Sequence, residues 1–239
     1  MILSGKEAAA MIDISAVRTH HTYKDILNVV ALAREHRFIN VHVLPCWVST
    51  LARLLRDVDG VYVGAPVGFP SGAATTLTKL VEAGQLLRDG VEEMDIVMNV
   101  GKFKAGEYDY VRGELREIIG STDHRVKTKV IIETRALEED EVYKACDLVI
   151  ASGADYVKTG TGWLPGQLDL EQVWRIKRHC GSAIKLKVAG GIRTREEFIA
   201  LAEMGVERAG INEHSAIEIV RSLNERPYEM SGGEKTQSA

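Results

Sequence analysis

Two lysines end two short apolar runs of the sequence, and a glycine-rich turn follows each of them. Lys158 lies in ADYVKTGTGW and Lys187 in AIKLKVAGGIRT. A buried lysine beside a second ammonium loses its proton more easily, because the like charge disfavours the charged form. The neutral amine can attack a ketone or aldehyde and form a Schiff base. The pair therefore predicts chemistry that makes or breaks a C–C bond next to a carbonyl, although the spacing leaves open which lysine is the nucleophile.

Two further charged residues follow the same pattern. Asp95 lies in EEMDIVMNVG and Lys129 in KTKVIIE, and the steps from Asp95 to Lys129, Lys158 and Lys187 are 34, 29 and 29 residues. Consecutive strands would bring all four residues to one site, with Lys129 deeper because it comes earlier in its strand. A single strand-end lysine usually reaches solvent. Four buried charges cost several kcal/mol each unless they are paired, so the set favours a functional cluster.

The elements that would hold this cluster alternate between short apolar runs and amphipathic stretches, which is typical of a parallel sheet. Gly90, Gly153 and Gly205 stand where helix C-termini are expected. The strand candidates are MIDIS, INVHVL, GVYVGAP, EMDIVM, KTKVIIE, DYVKTG, IKLKVAG and RAGIN.

Eight such units of about 30 residues predict an α/β fold, a single-domain (β/α)8 TIM barrel spanning residues 1–225. An open doubly wound sheet is the alternative, but the first βα turn carries no dinucleotide-binding glycine pattern. Residues 226–239 are polar and are predicted to form a disordered tail.

The composition limits the possible partners. The net charge is −4 and there is no basic block, which argues against a nucleic-acid partner. No apolar run is long enough to cross a membrane. The three cysteines have unrelated spacings and match no zinc pattern, so we expect no metal, reduced thiols and a cytoplasmic protein.

Four segments resemble the deoxyribose-phosphate aldolases: 67–101, 129–137, 153–162 and 187–194. The resemblance implies a (β/α)8 class I aldolase that needs no metal or cofactor and is commonly a dimer or tetramer. Members typically cleave 2-deoxyribose 5-phosphate to acetaldehyde and glyceraldehyde 3-phosphate. By resemblance, Lys158 is the Schiff-base lysine, Lys187 perturbs its pKa, and Asp95 is the proton-relay carboxylate. The same resemblance puts the following residues near the substrate: Asp13, Lys129, Thr159, Thr161, Gly190, Gly191 and Arg193.

The chain departs from the family pattern at the end of its last strand. The family has a serine-rich phosphate turn there, whereas this chain reads GINEHSA, with Asn212 and Glu213 in place of two serines and His214 in place of a glycine. A carboxylate repels a phosphate dianion. His42 replaces a cysteine that the family often has. We therefore predict that Asn212, Glu213, His214 and His42 contact hydroxyls or an amine, unless Glu213 points outward or pairs with Arg193.

Three functions remain open at this point. The first is a Schiff-base aldolase that cleaves a deoxy-sugar or related polyol into a short aldehyde or ketone and a second aldehyde. The second is an authentic 2-deoxyribose-5-phosphate aldolase with an unusual phosphate turn. The third is a non-catalytic sugar-binding relative, against which the complete lysine–aspartate set argues.

Overall fold

The computed structural model describes residues 1–122 and 124–231 and contains a closed barrel of eight parallel strands. The strands in chain order are β1 (Ile2–Leu3), β2 (Ile12–Ala16), β3 (Asn40–Val43), β4 (Tyr62–Val67), β5 (Glu93–Val97), β6 (Lys127–Ile131), β7 (Tyr156–Lys158), β8 (Lys185–Ala189), β9 (Arg208–Asn212) and β10 (Tyr228–Glu229). Strands β2 to β9 pair in sequence, and β9 returns to β2. The single-domain barrel is confirmed, and the open-sheet alternative is wrong.

Helices surround the barrel and cover its apolar outer face. They are α1 (Gly5–Ala9), α2 (Tyr23–His36), α3 (Val48–Leu55), α4 (Thr76–Asp89), α5 (Val100–Lys104), α6 (Tyr108–Ser121), α7 (Glu139–Ser152), α8 (Leu170–Cys180), α9 (Arg195–Glu203) and α10 (Glu213–Glu225). Local sequence sets several of their ends. The Thr194 hydroxyl accepts from the amide of Glu197 at the start of α9. Gly90 and Gly153 end α4 and α7 at positive φ, as predicted. None of the described helices has the length and apolarity to cross a membrane.

The strand register sets the height of each charged residue in the barrel. Asp95 on β5 pairs with Lys129 on β6, and Lys158 on β7 pairs with Lys187 on β8. Lys129 pairs with Tyr156, which lies two residues before Lys158. Lys129 is therefore deeper than Lys158, as the sequence predicts.

The two ends of the described chain lie together. Strand β1 pairs antiparallel with β10, which places Leu3 opposite Tyr228. Leu3 is buried, and Tyr228 and Met230 pack against the core. The prediction that the chain is disordered from residue 226 is therefore wrong for residues 226–231, because these apolar side chains order the segment. The rest of the predicted tail, residues 232–239, lies outside the described part of the chain.

Candidate active site

A pocket of about 630 Å³ opens at the C-terminal ends of the barrel strands, where enzymes of this fold hold their working residues. This volume suits a small-molecule ligand. The lining includes most of the residues predicted from the sequence: Asp13, His42, Lys158, Thr161, Lys187, Gly190, Gly191, Arg193, Asn212 and Glu213. Asp95 and Lys129 lie beneath it and are fully buried.

Thr159 does not line the pocket, contrary to the prediction from the sequence. Its hydroxyl accepts from the amide of Ala189 over 3.0 Å and donates to the carbonyl of the same residue over 3.3 Å. Thr159 therefore braces β7 against β8 and does not line the pocket. The alternation of side chains along an extended segment explains this, because Lys158 and Thr159 are neighbours and face opposite sides.

Lys158 and Lys187 share one carboxylate oxygen. Each Nζ donates to Oδ2 of Asp95 over 2.7 Å. Lys187 also donates to Oδ2 of Asp13 over 2.5 Å. Both lysines line the pocket, but Lys187 is 1% exposed and Lys158 is 7% exposed, so Lys158 is the more accessible of the two. Lys187 is therefore held between two carboxylates, whereas Lys158 can reach a ligand.

A network of charges forms the floor of the site. Glu93 accepts from Lys129 over 2.6 Å and from Arg208 over 2.9 Å. Arg208 also donates to Oδ1 of Asp13 over 2.6 Å, and the Lys129 ammonium lies 3.2 Å from Oδ1 of Asp95. Such close pairing offsets the desolvation of buried charges and fixes the side chains that carry them.

Glu93 and Arg208 were not identified from the sequence as site residues. Both could have been found from the period of two along a strand. Glu93 lies two residues before Asp95, and Arg208 lies two residues before Gly210, which lines the pocket. Their long side chains fill the barrel interior where apolar residues are the usual choice.

The buried charges of the cluster do not balance unless one cation loses its proton. Three carboxylates, of Asp13, Glu93 and Asp95, face four cations. Those cations are Lys129, Lys158, Lys187 and Arg208. Deprotonation of Lys158, which borders the pocket, brings the cluster to neutrality.

The pKa values follow the same pattern. Burial and the positive charges of Lys187 and Lys129 together lower the pKa of Lys158 to about 8, and Asp95 opposes the change. Burial also works against the charge of Lys129, but Asp95, Asp13 and Glu93 raise the pKa of Lys129 above its usual range. A fraction of Lys158 is therefore neutral at physiological pH, whereas Lys129 stays charged.

His42 lies against Asp95 from β3. Its Nδ1 is 3.2 Å from Oδ1 of Asn40, and its Nε2 is 3.5 Å from Oδ2 of Asp95. Burial lowers the pKa of His42 well below its usual value, and the surrounding lysines add to that effect. The ring is therefore neutral near pH 7 and borders the pocket.

Two loops close one side of the pocket mouth. Arg135 donates to the carbonyls of Leu164, Gln167 and Gly190, which ties the loop after β7 to the loop after β8. Glu133 accepts from the amide of Thr161 over 3.1 Å. These contacts hold the Thr161 hydroxyl and the Gly190 turn at the rim.

The far end of the pocket lies at the start of α10. The side chain of Asn212 caps this helix, and its Oδ1 accepts from the amide of Ser215 over 3.0 Å. Glu213 is the first residue of the helix and lines the pocket. It forms no ion pair with Arg193 within the described residues. His214 is exposed and does not line the pocket.

Comparison with known proteins defines the class and the family. No family model matches the chain. The deoxyribose-phosphate aldolase of Rhizobium meliloti (strain 1021) is 40% identical over 225 residues, which cover 94% of this chain and 90% of the relative. The deoxyribose-phosphate aldolase of Klebsiella pneumoniae (strain ATCC 700721 / MGH 78578) is 39% identical over 221 residues, which cover 92% and 88%.

Solved structures agree with the sequence comparison. The aldolase QR15 superposes with a TM-score of 0.86 at 37% identity and covers 92% of this chain and 97% of its own. The tetrameric deoxyribose phosphate aldolase of Aeropyrum pernix gives a TM-score of 0.84 at 26% identity, covering 92% of each chain. The chain is a class I aldolase, and therefore a lyase. It belongs to the deoxyribose-phosphate aldolase family.

Proposed function

We propose that Lys158 is the Schiff-base nucleophile of this aldolase. The observation that carries the proposal is the shared oxygen of Asp95, which holds the ammonium groups of Lys158 and Lys187 at 2.7 Å each. The arrangement puts two like charges together, and Lys158 is the more exposed of the two lysines that line the pocket. The neutral amine of Lys158 attacks the substrate aldehyde at C1, loss of water gives the imine, and uptake of a proton by its nitrogen gives the iminium.

The iminium then draws the electrons of the C2–C3 bond. The bond breaks, its electron pair forms the enamine C1=C2 double bond, and the hydroxyl-bearing carbon C3 leaves as the second aldehyde once its hydroxyl loses a proton. Protonation of C2 and hydrolysis of the imine release the two-carbon aldehyde and free Lys158. Asp95 faces this nitrogen and stabilises its positive charge, and we assign it a part in moving protons at the site.

Lys187 and Lys129 keep this site charged and rigid. Lys187 lies between Asp13 and Asp95, and its positive charge lowers the pKa of Lys158. Lys129 holds the other oxygen of Asp95 from below. Neither ammonium is as exposed to the pocket as that of Lys158, which supports positioning and electrostatic roles for both.

We propose a 2-deoxy sugar or a related polyol as the substrate, with hydroxyl groups at its far end. A phosphate there would meet the carboxylate of Glu213. It would also compete with the Asn212 side chain for the amide of Ser215. Helix N-termini bind phosphate through free amides, and this one is already capped. Gly190, Gly191 and the exposed Arg193 remain at the mouth and can contact the oxygens of a sugar.

Cleavage assays of two sugars test this proposal. The wild-type protein should cleave 2-deoxyribose at a kcat/KM equal to or above that for 2-deoxyribose 5-phosphate. Lys158→Met should abolish both reactions, whereas Lys185→Met, at the exposed start of β8, should leave them unchanged. A strong preference for the phosphate would refute the assignment of Glu213. Full activity of Lys158→Met would refute the assignment of Lys158 as the nucleophile.

We also propose a cytoplasmic homo-oligomer, dimer or tetramer. Its three cysteines are free thiols, which supports a reducing compartment. The Aeropyrum pernix relative is described as tetrameric, which supports assembly of the same kind. Light scattering on the purified protein tests the assembly, and a monomer at micromolar concentration would refute it.

A further inference from the structure

His42 presents an unprotonated ring nitrogen to the pocket, and the groups around it fix this state. Glu93 accepts from Nδ2 of Asn40 over 3.1 Å, so the amide of Asn40 points its nitrogen at the carboxylate. Its oxygen therefore faces Nδ1 of His42, at 3.2 Å. Because that oxygen only accepts, Nδ1 carries the proton of the neutral ring. Nε2 is left with a free lone pair.

This lone pair has no partner among the described residues. Nε2 is buried and forms no hydrogen bond, and Oδ2 of Asp95, which lies 3.5 Å away, is itself an acceptor. His42 is 4% exposed. A buried polar atom without a partner carries a free-energy cost of about 1–3 kcal/mol unless a ligand satisfies it. The ring borders the same pocket as Lys158, so the ligand that reaches Lys158 is the one that can supply the partner.

The neighbouring strand is shaped for the Asn40–His42 pair. Gly64 on β4 lies opposite His42 in the register. A Cβ at Gly64 would overlap both Nδ1 of His42 and the amide of Asn40. The absent side chain therefore makes room for the contact that sets the tautomer.

Asp95 is poorly suited to accept a proton from a hydroxyl. Its Oδ2 accepts from two ammonium groups, and its Oδ1 lies 3.2 Å from a third, that of Lys129. Burial opposes ionisation, but these positive charges keep the pKa of Asp95 well below its usual value. A base of such low pKa is weak near neutral pH. The neutral imidazole next to it keeps a lone pair at Nε2 that no described residue occupies, so this nitrogen is placed to accept the proton.

The distances allow His42 to reach the reacting bond. Nε2 lies 3.5 Å from Oδ2 of Asp95, and that oxygen lies 2.7 Å from Nζ of Lys158. In an imine on Lys158, the oxygen on C3 is four bonds from this nitrogen. It therefore falls within the region that the ring borders.

We propose that His42 is the base that takes the proton of the C3 hydroxyl during cleavage, a role that rests on the proposed function. The O–H bond breaks toward Nε2, and its electron pair forms the C=O bond of the departing aldehyde. The C2–C3 electron pair forms the enamine, and the iminium nitrogen becomes neutral. Asp95 faces the new imidazolium and stabilises it. The imidazolium then gives the same proton to C2 of the enamine, which restores the iminium and the neutral ring.

Replacing His42 by glutamine separates this role from others. In His42→Gln, kcat for cleavage should fall about 10²- to 10³-fold, because general-base catalysis contributes about that much. Borohydride trapping of acetaldehyde on Lys158 should remain at the wild-type level, since imine formation with acetaldehyde involves no C3 hydroxyl. His36→Gln, a histidine on α2 outside the pocket, is the matched control and should change neither.

The pH profile adds a readout that a structural role would not move. In the wild-type protein, kcat should fall on the acid side as His42 becomes protonated, and His42→Gln should lose this limb. The charges that face the ring are Asp95, Lys158, Lys187 and Lys129. Asn40→Asp adds a negative charge at Nδ1, so it should move the acid limb of kcat to higher pH. This second variant tests the base even where His42→Gln folds poorly.

The outcomes distinguish the possible failures. A higher KM with unchanged kcat in His42→Gln would show that the ring only binds substrate. Equal loss of trapping and cleavage would show that it only positions Lys158 and Asp95. An acid limb that stays in place in Asn40→Asp would also overturn the proposal. Absence of any trapped imine in the wild-type protein would instead refute the proposed function.

Discussion

The ammonium groups of Lys158 and Lys187 donate to the same oxygen of Asp95, each over 2.7 Å. This single contact explains why two lysines of the same type have unequal properties. Lys187 is also bonded to Asp13 and is almost completely buried, whereas Lys158 has only Asp95 and opens onto the pocket. Burial and the positive charge of Lys187 both contribute to lowering the pKa of Lys158 to about 8.

Removal of the Lys187 charge should therefore raise the pKa of Lys158. In Lys187→Met the repulsive cation is lost while Asp95 stays close, so the neutral fraction of Lys158 at pH 7 decreases. The reactive form of Lys158 is the neutral amine, so kcat/KM should rise with pH. We expect the acid limb of this profile near pH 8 in the wild-type protein and at higher pH in Lys187→Met. We expect a loss of about tenfold at pH 7 for each unit of pKa gained.

The pH dependence of kcat/KM from pH 6 to 10 checks this prediction. Lys187→Arg keeps the charge and should keep the limb close to its wild-type position. A limb that does not move in Lys187→Met would contradict the assigned role.

The carboxylate at the far end of the pocket should exclude a phosphorylated substrate. Replacement of Glu213 by serine removes the negative charge, and replacement of Asn212 by serine removes the amide side chain that caps α10. The double variant should raise kcat/KM for 2-deoxyribose 5-phosphate by about tenfold or more, since about 1.4 kcal/mol corresponds to that factor. Steady-state kinetics with both sugars give the measurement.

Glu218→Ser is the matched control for this variant, because Glu218 lies on the exposed side of the same helix. It should not change either sugar's kinetics. Unchanged phosphate cleavage in the Asn212→Ser, Glu213→Ser protein would show that the carboxylate does not set the preference.

A buried ion pair outside the pocket should dominate the stability of one side of the barrel. Lys79 on α4 donates to Glu114 on α6 over 2.7 Å and to the carbonyl of Val97 over 2.9 Å, and both charged side chains are 0% exposed. Lys79→Met leaves the carboxylate buried without its cation. It should lower the free energy of unfolding by about 3–5 kcal/mol, whereas the double replacement Lys79→Met, Glu114→Leu should cost much less.

Urea denaturation measures these differences. The exposed pair Lys102–Glu107 is the control, and removal of one partner there should change stability by less than about 1 kcal/mol. A loss in Lys79→Met as small as at the surface pair would contradict the prediction.

The fold could be predicted because its signals are local and repeated. Eight apolar runs at similar spacing predicted the barrel. Glycines such as Gly90 and Gly153 predicted helix ends, and the structure has them there at positive φ. The antiparallel pairing of β1 with β10 could not be predicted in this way. Each of these strands has only two residues, and they lie at opposite ends of the described chain.

The site was predictable where strand ends and charge coincided. Lys158 follows that pattern as the last residue of β7, whereas Lys187 and Asp95 lie in the middle of β8 and β5. The structure brings all three into contact. Glu93 and Arg208 were missed because they come at the beginnings of their strands, where charged side chains usually reach solvent. The period of two along each strand points both inward, and the closed barrel brings them to Asp13 and Lys129.

The identity of the nucleophile is tested most directly by trapping the imine. The wild-type protein is incubated with acetaldehyde, reduced with borohydride, digested and mapped by mass spectrometry. We predict one reduced adduct on the peptide that contains Lys158, with a yield that increases with pH through about 8. An adduct on Lys187, or no adduct at Lys158, would contradict the account.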